Sequence, residues 1–132
     1  MRLRHVFAVL SASFALPCNG SEGLLYASLY YCNANAVNEA IVSACATNEP
    51  TLAAQAGEAL SSWKGRYGEK AQRAAAECAK SLSDAEAKRF HAEAVRAWVS
   101  ELESRAKHTD GSYCRQVISQ LNAGSMDRDI WK

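Results

Sequence analysis

Apolar side chains recur along this chain at helical intervals. Between Leu24 and Ala46 they fall at Tyr30, Ala34, Val37, Ile41 and Ala44, steps of four and three that trace one face of a helix. Asn33 and Asn35 are mediocre helix-interior residues, so a break there, with Asn35 capping a shorter helix, is the alternative. Thr47-Asn48-Glu49-Pro50 reads as a turn and a new start, with Asn48 as N-cap and Pro50 in the first turn, where its missing N–H costs nothing.

The next stripe is the clearest. Leu52, Ala56, Leu60, Trp63, Tyr67, Ala71, Ala75, Cys78 and Leu82 follow at steps of four or three, in phase across Gly65 and Gly68. Two independent helices have no reason to keep phase, so the pattern predicts one helix over 50–82, bent at the glycines and ~50 Å long. Ser83 and Glu86 have the spacing of a capping box for a third helix running to Lys107. Its inward face carries Phe90, Ala94, Val95, Trp98, Val99, Leu102 and Ala106. After a turn at 108–112, a shorter fourth helix carries Cys114, Val117, Ile118 and Leu121, with Gly124 as its C-cap. Residues 125–132 read as a loose tail whose Ile130 and Trp131 can dock onto the bundle. No strand alternation interrupts this pattern. The fold class is all-α, a small up-and-down bundle of about four helices in one domain, 21–124.

Residues 1–20 read as a secretory signal peptide. Arg2 and Arg4 give a basic start, Val6 to Leu16 an apolar run of eleven, and Pro17-Cys18-Asn19-Gly20 a break followed by small residues. Eleven apolar residues fall short of the ~20 a membrane-spanning helix needs. Cleavage is expected after Gly20, with Ala15 as the rival position. A lipoprotein anchored at Cys18 fits less well, because Pro17 stands where such processing normally needs a small residue.

Cleavage changes the composition. The whole chain carries 15 Lys+Arg and 14 Asp+Glu, and loss of Arg2 and Arg4 leaves 13 against 14, a net charge of −1. No strong field for nucleic acid results. Of five cysteines, Cys18 is lost, leaving Cys32, Cys45, Cys78 and Cys114. An even number in an exported domain predicts two disulfides, in the periplasm or outside the cell. The wide gaps exclude C-x-x-C zinc, redox and haem motifs.

Geometry then sorts the pairs. Thirteen residues of helix hold Cys32 and Cys45 ~20 Å apart, beyond the ~7 Å a disulfide spans. In an up-and-down bundle Cys45 and Cys114 share one pole and Cys78 lies near the other. The predicted bonds are Cys45–Cys114 and Cys32–Cys78. The other pairing, Cys32–Cys114 with Cys45–Cys78, requires a second helix folded back at Gly65–Gly68.

Candidate chemistry is sparse. His91 falls on the apolar side of its helix, where a core-edge histidine with one hydrogen bond is the ordinary reading and a general base or metal ligand the sharper one. His108 and Asp110 share a polar turn but lack a third metal ligand. No nucleophile elbow, phosphate loop or H-E-x-x-H is present, so no catalytic residue, metal or cofactor is expected. Leu25, Tyr26, Tyr30 and Tyr31 surround the start of the first helix and are the expected partner-binding surface. Trp63, Tyr67, Phe90, His91 and Trp98 are the expected lining of an interhelical ligand cavity, if one exists. The leading functional expectation is a protein that binds another protein, as an inhibitor, immunity factor or envelope accessory does. The alternative is a carrier of a small apolar ligand.

Overall fold

The computed structural model describes residues 15–124 and 127–131, with side chains from residue 27 onward. The helices are α1 (Ala15–Asn48), α2 (Ala53–Trp63), α3 (Glu69–Ser81), α4 (Ala85–His108), α5 (Ser112–Ala123) and the single turn α6 (Asp127–Ile130). The architecture is the expected all-α bundle.

α1 starts nine residues before the expected Leu24 and ends two after Ala46. The predicted leader falls partly on residues outside those described and partly on the first turns of α1. Asn33 does not cap a new helix, and Asn35 does not either. Instead the backbone kinks at Asn33 (φ −138°, ψ 20°) and the helix resumes. The Asn33 amide donates to the Leu29 carbonyl at 2.9 Å, a local side-chain bond that competes with the helical ladder and explains the bend.

A 3₁₀ turn, Pro50–Leu52, leads into α2. Asn48 closes α1 rather than opening the next helix, its amide donating to the Ala44 carbonyl. α2 and α3 join through a π-helical segment, Lys64–Gly68, whose flanking residues keep right-handed helical backbone angles. The predicted long helix is therefore one rod, and the two glycines mark its wide turn. Ala75 is a correction: it is exposed and Ala74 is buried in its place. Three steps of four from Trp63 overrun a face set by 3.6 residues per turn.

α4 is capped by Asp84, whose carboxylate accepts from the Glu86 N–H, and not by Ser83. Gly124, at φ +60°, ends α5 as expected. The Arg66 guanidinium donates to the Leu121 carbonyl there, satisfying one of the free carbonyls of that helix end.

α1 is the central member. The α2–α3 rod packs antiparallel to it, and α4 lies along its other side. α5 returns to pack chiefly on α2, touching α1 and α4 only sparsely. Trp63, Ala34, Val37, Ala56, Ala71 and Ala106 fill the core. Two disulfides staple it: Cys32–Cys78 and Cys45–Cys114, with Cα atoms 5.8 and 5.6 Å apart. Both are the pairs expected from helical rise together with an up-and-down arrangement, and both have α1 as a partner. Among the described residues no helix is long and apolar enough to cross a membrane.

Candidate functional site

Because α5 leans onto α2, a cleft of about 250 Å³ opens between α1, α4 and α5. Val37, Ile41, Leu102, Val117 and Leu121 supply apolar walls, with Trp98 and Tyr113 as aromatic ones. Tyr30, Asn38 and Asp127 also line it, and Arg105 stands at its exposed side.

The polar lining is a connected network. The Tyr30 hydroxyl donates to Asp127 Oδ1 at 2.9 Å and accepts from the Asn38 amide at 3.1 Å. The Trp131 indole N–H donates to the same Asp127 oxygen at 3.0 Å. Tyr30, Asn38, Asp127 and Trp131 are all buried. Burial pushes the Tyr30 phenol well above the usual tyrosine range. The Asn38 bond opposes that shift, while the charge and hydrogen bond of Asp127 add to it. The Trp63 indole nitrogen is buried and has no hydrogen-bond partner among the described residues. Tyr113 is raised as well, first by burial, against the pull of Arg105 and with the push of Glu101. Arg105 and Glu101 pair at 2.8 Å.

Asp127 reaches this place because residues 127–131 are not a loose tail. The Arg128 N–H donates to the Gly124 carbonyl, the Trp131 N–H donates to the Asp127 carbonyl, and Lys70 donates to the Trp131 carbonyl at 2.8 Å. The Trp131 ring stacks on Tyr31 at 5.3 Å between centroids. Ile130 packs against the core beside it.

Of the five expected cavity residues, only Trp98 lines this cleft. Trp63 is buried in the core, 6.3 Å from the half-buried Tyr67 ring. Phe90 is a correction, 70% exposed rather than inward. It lies about 80° around the helix from Trp98 at 100° per residue, and α4 buries only the narrow arc that faces α1. His91 is half-buried at the core edge, with Nε2 3.0 Å from the Asn33 amide nitrogen.

Of the four expected partner-binding residues, Tyr30 is also a correction. Its apolar-face position (Tyr30, Ala34, Val37) turns it into the bundle, where it holds the polar network. Tyr31 is 37% exposed and partly covered by Trp131. Leu25 and Tyr26 belong to α1, and their side chains lie outside the described residues.

Sequence reasoning missed Asn38, Tyr113 and Asp127. Asn38 carried a signal: it is a polar residue within the Ala34–Val37–Ile41 stripe, and a buried polar group needs partners. Asp127 carried none, since its place depends on how the tail docks. Among the described residues no three His, Cys, Asp or Glu side chains are grouped as a metal site needs. No known protein family matches the chain, and no curated protein or solved structure matches it either.

Proposed function

We propose that this is an exported protein that works by binding, and that its working site is the α1–α4–α5 cleft, holding a small ligand. One observation carries the reading: apolar and aromatic walls converge on a few buried polar groups, the composition of a small-molecule site. The two disulfides support export, because they persist in oxidising compartments, and one of them, Cys45–Cys114, ties α1 to α5, two walls of the cleft. The apolar-ligand carrier foreseen from the sequence is thus moved to a different cavity with a more polar floor.

Protein binding is the second reading, favoured by Phe90, a large apolar side chain standing in solvent on α4. A native mass spectrum of the protein recovered from its own host separates the two. Export predicts the mass of residues 21–132 less four hydrogens. A small adduct lost on denaturation supports the cleft, and a protein-sized one supports Phe90 as part of an interface. A full-length mass with free thiols overturns export, and a bare protein under gentle conditions overturns the ligand reading.

A further inference from the structure

We infer that the cleft takes a small organic cation, an amine whose ammonium group is received by Asp127. The inference rests on the cleft being a ligand site and names the chemistry of what enters it. Asp127 is 4% exposed, yet no lysine, arginine or histidine nitrogen among the described residues lies within 4 Å of it. Burying a carboxylate without a cation is costly, and two neutral donors, Tyr30 and Trp131, offset that cost only in part. Both donors engage the same oxygen, Oδ1.

The surroundings add to this. The Tyr30 phenol is held in its protonated form by burial, so it brings no second negative charge and no positive one. The nearest cation on the cleft wall, Arg105, is already engaged with Glu101. The apolar and aromatic walls suit the carbon skeleton of an amine. A cavity of about 250 Å³ has room for a single-ring or short-chain amine. An anion would meet Asp127, while the cation among the described lining residues, Arg105, is paired with Glu101.

The test uses the oxidised full chain and three probes that share one ring: phenethylamine, phenethyl alcohol and 3-phenylpropanoate. The readout is the indole N–H resonances of the three tryptophans in a titration by nuclear magnetic resonance. Phenethylamine is expected to bind at least about tenfold more tightly than the alcohol, a difference of about 1.4 kcal/mol, and the acid weakest. It is expected to shift the Trp131 and Trp98 signals. Asp127→Asn keeps the shape and the acceptor oxygen, and is expected to erase the preference for the amine over the alcohol. Should that variant fail to fold, the ranking of the three probes on the unaltered protein decides alone. Equal binding of all three, or a preference for the acid, overturns the cation while leaving a ligand cleft. No cleft response to any probe, together with a bare native mass, overturns both the cation and the cleft.

Discussion

Removing the two disulfides one at a time should not cost the same, although loop length alone says that it should. The bonds close loops of 46 and 69 residues. Chain entropy assigns each about 4 kcal/mol, the longer loop leading by only about 0.4 kcal/mol. Burial separates them further. Cys45 and Cys114 are 1% and 0% exposed and sit in the core, while Cys32 and Cys78 are half-buried. Replacing Cys45 and Cys114 by alanine therefore deletes two buried sulfurs and leaves space behind them, about 1 kcal/mol each. The expected loss is about 6 kcal/mol for Cys45→Ala/Cys114→Ala, against about 4 kcal/mol for Cys32→Ala/Cys78→Ala. A domain of this size has some 5–15 kcal/mol in all, so the first variant should be close to unfolded at body temperature. Guanidinium denaturation followed by far-ultraviolet circular dichroism measures both. Equal losses, or a larger one for the Cys32–Cys78 bond, would refute the argument from burial.

Other substitutions test separate parts of the account. Tyr30→Phe strips a donor from Asp127 and an acceptor from Asn38, and should cost about 2–3 kcal/mol by the same denaturation assay. The same variant should change the alkaline limb of stability. Because the folded phenol is raised above the unfolded value of about 10, its contribution is full below that pH. It declines as pH rises further, by at most about 1.4 kcal/mol per unit, and Tyr30→Phe should flatten the decline. Gly124→Ala puts a Cβ at φ +60° and 3.2 Å from the Tyr67 ring, so it should lower stability by about 1–2 kcal/mol; no change in melting temperature would count against a required left-handed cap. Phe90→Ser should leave stability within about 0.5 kcal/mol, since little of that ring is covered, and a larger loss would mean that α4 buries a wider face than described.

Much of the bundle was legible because helical geometry is local. Steps of three and four gave the rod from Pro50 to Ser81, a fixed rise per residue excluded a Cys32–Cys45 bond, and the up-and-down arrangement chose Cys32–Cys78 with Cys45–Cys114 from the two pairings that remained. The site was less legible because it arises where local rules are silent. The lean of α5 onto α2 opens the cleft, and nothing in the periodicity of α5 says which neighbour it favours. Phe90 and Trp98, about 80° apart on the helical wheel, both fall within a broad apolar face, and which of them is covered depends on how many neighbours α4 has. Tyr30 looked like surface aromatic character, whereas its hydroxyl is the hub that Asn38 and Asp127 meet from 8 and 97 residues away.

The two disulfides also overlap in sequence, since Cys78 lies between Cys45 and Cys114 and Cys45 lies between Cys32 and Cys78. A protease that cuts once, anywhere from the chain after Cys32 to the chain before Cys114, leaves two pieces still tied by at least one sulfur bridge. The body of the bundle therefore tolerates a nick at the 109–111 turn without coming apart. The segment after Gly124 has no such insurance. A cut there releases Asp127 and Trp131, which no covalent link but the chain itself holds, so trimming by a few residues would take away the floor of the cleft and spare its walls.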